Sequence, residues 1–381
     1  MALENPPASV ALIVGITGMA GLSLAEALKK PTAPGSPWKV YGMARRQLPA
    51  WFPSALVDVF VSADALDRKD TTEKLAPLAS QVTHVFWVAI QVGGTEQESI
   101  TSNATMLTNV LETLKSDPTS PLRHITLQTG TKQYLGPILD PFLGSQLVHH
   151  EPPYKEDMSR LPYPNFYYDL EDLVASYSPS VTYSVHRASI IIGASSRSFY
   201  NILLTLAVYA TICRYQGLPF RYPGTKYTWE HFCDVADADV LAQQHLWAAV
   251  TDKAKNQAFN CSNGDVFTWK SMWRVLCEVF DVEFVPFDDH ENEEFDRMGL
   301  MKDDEDKAEK VWEEIVESYG LIPTKVKDVT CPEVLSTILH VEFQHVCSMN
   351  KSREFGFLGY ADTLKSIPMW VQRLKDMKII P

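Results

Sequence analysis

A chain of 381 residues, 45% of them hydrophobic, is long enough for roughly two domains with well-filled cores. Its formal net charge of -13 argues against broad binding to nucleic acid or to anionic membrane surfaces, which repel an acidic protein. The six cysteines are scattered without a C-x-x-C pair, and the first residues lack the basic front of a signal peptide. We therefore expect reduced thiols, no bound metal and a soluble, cytoplasmic protein that is not inserted into a membrane.

The first half of the chain alternates short apolar, β-branched runs with longer helical patterns. This alternation is typical of a parallel sheet with helices on both faces. We predict strands at 10–16, 38–45, 57–63, 84–90, 124–129 and 181–189. We predict helices at 20–30, 70–79, 97–116 and 166–177. The expected fold class is α/β, a Rossmann-type doubly wound sheet.

The rhythm changes after Gly193, and helical patterns dominate the rest of the chain. We predict helices at 199–215, 237–250 and 268–280, and strands around 219–224 and 258–263. The acidic tract 288–310 is interpreted as a solvated loop and helix face.

These patterns suggest a division into two regions. We expect a dinucleotide-binding domain made of residues 1–193, with 228–265 returning to it. Residues 194–227 and 266–381 are expected to form a smaller, mainly helical region that caps the substrate.

The turn GITGMAG follows the first strand and opens a helix. It places Gly15, Gly18 and Gly21 at the spacing G-x-x-G-x-x-G. Glycines let the backbone approach a pyrophosphate closely, and the helix N-terminus offers free N–H groups to it. This context favours a dinucleotide site over a plain tight turn.

The end of the second strand carries two adjacent arginines, Arg45 and Arg46. Enzymes that prefer NAD place an acidic residue here, whereas two guanidinium groups suit a 2′-phosphate. The alternative is a pair of solvated surface arginines; we expect NADP. Asp64, just past the third strand, is either a hydrogen-bond acceptor near adenine or an ordinary strand-end cap.

The stretch NFYYDLEDLV offers Tyr167 and Tyr168 at the start of a helix. The Y-x-x-x-K pair of ordinary short-chain dehydrogenases is absent, because Glu171 and Asp172 stand four residues after the tyrosines. The fifth strand, however, runs directly into a loop with Lys132. An ammonium from this separate loop could stabilise the phenolate that the helix alone disfavours.

Together, GITGMAG, PWKVYGMARR, LQTGTKQYLGP, NFYYDLED, AFNCSNGDVFTWK and MNKSREFGF resemble the progesterone 5β-reductase/iridoid synthase family of plants. These are atypical extended short-chain reductases. The resemblance runs from Val10 to Pro381. It implies Tyr167 and Lys132 as catalytic residues, Tyr168 as a packing neighbour, and a homodimer.

The resemblance also implies NADPH as cofactor. Apart from the residues above, its cofactor contacts fall on Thr17, Met19, Ala65, Ala89, Ile90, Gln128, Ile191, Ser198 and Phe199. The implied reaction is reduction of a carbon–carbon double bond conjugated to a carbonyl, with hydride added to the β-carbon and the enolate stabilised by Tyr167 and Lys132.

The chain departs from the family pattern around the expected substrate. Ile90 and Ile138 stand where aromatic residues are frequent, and the run HRASII places Ala188, Ser189 and Ile190 at positions that also differ. Ile90, Ile138 and, less firmly, Tyr134 are expected to line the pocket, which suits a small apolar enone or enal.

The substrate class therefore stays open between a steroid enone, a monoterpene dialdehyde and a small enone. A 1,2-carbonyl reductase and a non-catalytic NADP-sensing protein also stay open.

Overall fold

A computed structural model of the protein describes residues 9–138, 148–288 and 305–381. Its main sheet has seven parallel strands in the order β10-β6-β5-β4-β1-β2-β3. The strands are β1 (Ser9–Val14), β2 (Trp38–Ala44), β3 (Val59–Ser62), β4 (His84–Trp87), β5 (His124–Gly130), β6 (Thr182–Ala188) and β10 (Gln257–Cys261). The predicted α/β fold is confirmed.

Both faces of the sheet are covered by helices, which explains why its strands are almost continuously apolar. The helices of this half are α1 (Met19–Lys29), α2 (Arg68–Leu75), α3 (Glu96–Lys115), α4 (Lys132–Leu135), α5 (Phe166–Ser176) and α8 (Ala238–Val250). One core joins α2, α3 and α5 to the sheet, and α1 packs with α8 on the opposite face.

The other half is mainly helical and packs around a second part of the core. Its helices are α6 (Ile202–Gln216), α7 (Lys226–Glu230), α9 (Trp269–Phe280), α10 (Glu305–Tyr319), α11 (Val326–Val329), α12 (Pro332–Leu339), α13 (Asn350–Glu354) and α14 (Thr363–Asp376). Two small sheets complete it: the parallel pair β7 (Ile190–Ile192) and β9 (Val235–Asp237), and the antiparallel pair β8 (Phe232–Cys233) and β11 (Phe267–Thr268).

The chain does return to the main sheet after its first half, because β10 pairs with β6. The exact division into two domains stays a prediction. No helix within the described ranges is long and apolar enough to cross a membrane.

One predicted strand is absent from the structure and several end at other residues; the strand predicted at 84–90, for example, ends at Trp87. Residues 219–224 form no strand: the Phe220 ring stacks on Trp273 at 4.1 Å, and the Phe220 carbonyl accepts a hydrogen bond from the Trp273 indole at 3.0 Å. Side-chain packing, rather than strand pairing, therefore explains the apolar residues there. The single strand predicted at 181–189 ends at Ala188, and β7 leaves the sheet to pair with β9.

The acidic tract 288–310 lies largely outside the described residues. Helix α10 begins within it, at Glu305.

Candidate active site

A continuous cavity of about 1040 Å³ lies beyond the carboxyl ends of the strands. Its walls come from the turn after β1, the ends of β2, β4 and β5, the first turn of α5, and α12. The predicted residues that line it are Gly15, Thr17, Gly18, Met19, Arg45, Arg46, Ala65, Ala89, Ile90, Gln128, Lys132, Ile138, Tyr167, Ile191, Ser198 and Phe199. Gly21, Asp64 and Tyr134 are not part of its wall.

The glycine turn has the close packing that a phosphate cradle needs. Gly15 has a φ of +95°, and a Cβ there would lie 2.9 Å from the backbone nitrogen of Ala89. A Cβ on Gly21 would overlap the carbonyl oxygen of Gly15. The first turn of α1 contains no acidic residue, and the Met19 amide donates to Ser198 Oγ at 2.9 Å. The turn therefore presents an anion-compatible helix N-terminus to the cavity.

Three arginines meet at this end of the cavity. Burial lowers the pKa of Arg46, the neighbouring charges of Arg197 and Arg45 lower it further, and the charge of Asp328 partly opposes them. Arg45 donates to Gln91 Oε1 at 3.1 Å. No described carboxylate forms an ion pair with any of the three. Unpaired like charges that share one cavity wall favour an anionic ligand.

Asp64 has a structural role at the end of β3. Its carboxylate accepts from the Leu66 amide at 3.0 Å, and its own amide donates to Asp70 Oδ2 at 2.8 Å. These contacts fit the strand-end cap of the two alternatives. Ala65, the next residue, does line the cavity.

Tyr167 lies in the first turn of α5, which begins after the N-cap Asn165. Its ring rests against the end of β5, because a Cβ on Gly130 would be 3.2 Å from the Tyr167 hydroxyl. Burial raises the pKa of the phenol well above its usual value, and Tyr200 and Glu96 raise it further. The raised pKa keeps the hydroxyl protonated. Because it is hydrogen-bonded to none of the described residues, it is able to donate to a ligand in the cavity.

Lys132 lies two residues beyond Gly130 and forms an ion pair with Glu96. Its Nζ also lies 4.9 Å from the centre of the Phe166 ring. Burial lowers the pKa of the lysine, and Glu96 opposes this effect. The lysine thus lines the same cavity as Tyr167, but its direct partner is a carboxylate rather than the phenol.

The two other predicted tyrosines near this loop are engaged elsewhere. The Tyr168 hydroxyl donates to the Gln133 carbonyl and accepts from the Leu161 amide, each at 3.0 Å. Tyr134 is fully buried, and its hydroxyl donates to Asn260 at 2.6 Å. The structure therefore does not bring Tyr134 to the pocket.

Another part of the cavity wall is formed by apolar side chains. Besides Ile90 and Ile138, its wall includes the aromatic and aliphatic residues Tyr200, Trp269, Val334, Ile338 and Phe343. The departing positions Ala188, Ser189 and Ile190 also line the cavity.

Among the cavity residues that were not predicted are three with ionisable side chains, Glu96, Arg197 and His345. The sequence shows Glu96 only as an acidic residue at a helix start, where a carboxylate is commonplace. Arg197 and His345 belong to segments far along the chain, and no motif marks either of them.

A comparison with protein families identifies residues 11–381 as a PRISE-like Rossmann-fold domain. The chain belongs to this family. It is 44% identical over 377 residues to the 3-oxo-Delta(4,5)-steroid 5-beta-reductase of Arabidopsis thaliana, covering 98% of this chain and 93% of that protein. It is 46% identical over 376 residues to an (S)-8-oxocitronellyl enol synthase of Camptotheca acuminata, with the same coverage of 98% and 93%. The resemblance stated above is confirmed.

Solved structures of distant sequence share the fold. A UDP-glucose 4-epimerase of Thermotoga maritima matches with a TM-score of 0.63 at 13% identity, covering 96% of this chain and 99% of that one. At this identity the similarity concerns the fold alone.

Proposed function

We propose that this PRISE-like protein is an NADPH-dependent reductase of carbon–carbon double bonds conjugated to a carbonyl. The observation that carries the proposal is the cavity itself, because one continuous wall contains the three arginines without an ion pair and also Tyr167 and Lys132. The relatives support it, because their names describe a steroid 5-beta-reductase and enol synthases.

The residues present fit a phosphorylated dinucleotide. The Gly15–Gly21 turn, whose glycines allow close backbone packing beside the cavity, suits a pyrophosphate, and Arg45, Arg46 and Arg197 suit a 2′-phosphate. The cofactor, when bound, supplies the hydride. Gln128, Ala89 and Ile191 line the same cavity and would contact the cofactor there.

Tyr167 would stabilise negative charge on the substrate. Hydride addition to the β-carbon places charge on the carbonyl oxygen, and the protonated phenol can donate a hydrogen bond to it. Such a donor contributes most when the charge develops in the transition state, at about 10²–10³ in rate. Lys132 adds positive potential from the segment after β5, and Glu96 holds its ammonium in place.

The wall chemistry favours a largely apolar enone or enal. Aliphatic side chains at Ile90 and Ile138 and the aromatic residues Tyr200 and Phe343 offer a surface without fixed charge. A steroid enone, a monoterpene dialdehyde and a small enone all fit this description. A homodimer in the cytoplasm remains our expectation.

A 1,2-carbonyl reductase is the second candidate, because it would use the same phenol next to the substrate oxygen. The third is a protein that binds NADPH without turnover. The test is an NADPH oxidation screen over enones, enals and steroid enones, with product identification by mass spectrometry. A saturated carbonyl product supports the proposal. An allylic alcohol supports carbonyl reduction, and NADPH binding without oxidation supports the non-catalytic protein.

A further inference from the structure

A buried carboxylate lies behind the lysine loop. Asp234, between β8 and β9, is only 1% exposed. Its carboxylate accepts hydrogen bonds from Ser189 Oγ and from the Cys347 amide, each at 2.6 Å. It also lies 3.3 Å from Nδ1 of His345. Burial of a carboxylate is costly unless such partners compensate it, so this cluster is a built arrangement.

His345 connects this carboxylate to the cavity. Its second ring nitrogen, Nε2, lies 2.8 Å from Thr131 Oγ1. Thr131 immediately precedes Lys132, and both Thr131 and His345 line the cavity. Both ring nitrogens are therefore engaged, and a hydrogen-bonded chain runs from Asp234 through the imidazole to a hydroxyl at the cavity wall. An imidazole in such a chain can pass a proton from one nitrogen's side to the other.

The cluster does not have the arrangement of a nucleophilic serine. Ser189 donates to Asp234, and its oxygen lies 3.4 Å from Nδ1, the same nitrogen that faces the carboxylate. In a Ser-His-Asp triad the serine and the acid face different ring nitrogens. Here the ring nitrogen that does not face the carboxylate lies against the Thr131 hydroxyl.

The proposed reduction leaves an enolate, whose α-carbon must gain a proton to give the saturated carbonyl. We propose that the Thr131 hydroxyl donates this proton and that His345, held by Asp234, replaces it. The enolate electron pair forms the α-carbon–hydrogen bond while the Thr131 O–H bond breaks. When His345 is protonated, its Nε2–H proton moves to the Thr131 oxygen, which leaves a neutral imidazole that takes a new proton from solvent.

This assignment rests on the proposed function and adds the source of its proton. Tyr167 and Lys132 are less suited to it, because the phenol is placed for the carbonyl oxygen and the ammonium is paired with Glu96. Ketonisation within the site gives one configuration at a substituted α-carbon. An enol released into water is protonated on either face.

The test uses an α-methyl enone, such as 2-methylcyclohex-2-enone, with NADPH in D₂O. Chiral chromatography with mass detection then gives the deuterium content and the ratio of the two enantiomers of 2-methylcyclohexanone. We expect the wild-type protein to give one enantiomer in large excess, carrying one deuterium on the methyl-bearing α-carbon. We expect His345→Gln and Thr131→Val to oxidise NADPH but to give a ratio near parity, since protonation of the free enol in water has no facial preference.

His340→Gln is the matched control. His340 binds the Ser336 carbonyl through Nδ1 at 2.7 Å and is not part of the cavity wall, so its loss should leave the enantiomer ratio unchanged. A wild-type ratio near parity overturns the proposal without any variant. An unchanged excess in Thr131→Val or His345→Gln also overturns it. A failure to oxidise NADPH with every enone contradicts the proposed function instead.

Discussion

Glu96 and Lys132 form an ion pair on the wall of the cavity, and the second oxygen of Glu96 accepts the Phe166 amide at 2.8 Å. One carboxylate thus joins the lysine loop after β5 to the first turn of the helix that carries Tyr167. The Lys132 and Glu96 side chains are only 25% and 23% exposed, so solvent screens this pair less than a surface pair.

Replacement of Glu96 by glutamine should reduce turnover and alter its pH dependence. The carboxylate raises the pKa of both Lys132 and Tyr167, so its loss lowers both values. The alkaline limb of the kcat profile, where a proton is lost, should therefore move to lower pH. We expect kcat to fall by about tenfold, the worth of one charge-assisted contact of about 1.4 kcal/mol.

Glu98→Gln is the control for this experiment, because Glu98 caps the same helix through the Thr95 amide without contacting Lys132. An unshifted alkaline limb in Glu96→Gln, or an equal shift in the control, would contradict the assigned role.

Tyr167→Phe should separate chemistry from stability. The variant removes the proposed donor to the substrate oxygen, so kcat should drop by about 10²–10³ while NADPH affinity stays nearly constant. The melting temperature should change little, since the hydroxyl has no partner among the described residues. Single-turnover kinetics, NADPH titration and thermal unfolding provide the three readouts.

Tyr168→Phe should behave in the opposite way. It leaves the Gln133 carbonyl and the Leu161 amide unpaired in a buried region, at a cost of about 1–3 kcal/mol in the free energy of unfolding. Activity at temperatures well below the melting point should survive. Loss of turnover in a folded Tyr168→Phe protein, with Tyr167→Phe active, would reverse the assignment.

The double variant Arg45→Ala, Arg46→Ala should weaken NADPH binding far more than NADH binding. Loss of two guanidinium contacts to a 2′-phosphate is expected to cost about 100-fold or more in Kd, at about 1.4 kcal/mol per tenfold. Arg197→Ala should also weaken NADPH binding selectively, because its charge lies close enough to Arg46 to change the pKa of that residue and would act on the same 2′-phosphate. Isothermal titration with both cofactors measures the effect.

Arg68→Ala removes a charge that is paired with Glu112 at the surface and serves as the control for net charge. Equal losses for NADPH and NADH in the double variant would refute the phosphate site.

The protein should lose stability in mild acid because of four buried histidines. Burial lowers the pKa of His84 to about 3, of His124 to about 3 and of His186 to about 4, and it holds the pKa of His245 well below its ordinary value. Both states are neutral above the ordinary histidine pKa of about 6.5. Below it the unfolded chain takes up protons that the folded chain cannot, so the free energy of unfolding falls with pH until the folded values are reached. At pH 5 the loss is about 2 kcal/mol for each histidine.

Urea unfolding at pH 7, 6 and 5 measures this loss. His84→Gln should flatten the pH dependence by one histidine's share, while a surface histidine variant, His231→Gln, should leave it unchanged. A constant free energy of unfolding between pH 7 and pH 5 would contradict the prediction.

The elements predicted from the sequence were those with strong local patterns. The strands β1, β2, β4 and β5, and the glycine turn after β1, follow from apolar runs and glycine spacing that tertiary contacts do not override. The strand predicted at 219–224 was wrong because a short segment bounded by prolines has no local feature that separates a strand from a packed coil. The identity of Tyr167 as the candidate phenol required the family resemblance.

Within this chain, periodicity predicted the parallel sheet, glycine spacing predicted the turn after β1, and short motifs carried the family resemblance, because each depends on neighbours close in sequence. Folding alone decided that Glu96 meets Lys132 and that His345 reaches Thr131 across 214 positions. Such contacts depend on how helices and strands pack in three dimensions, and the pairing of two polar side chains from distant segments leaves no periodic trace in the sequence.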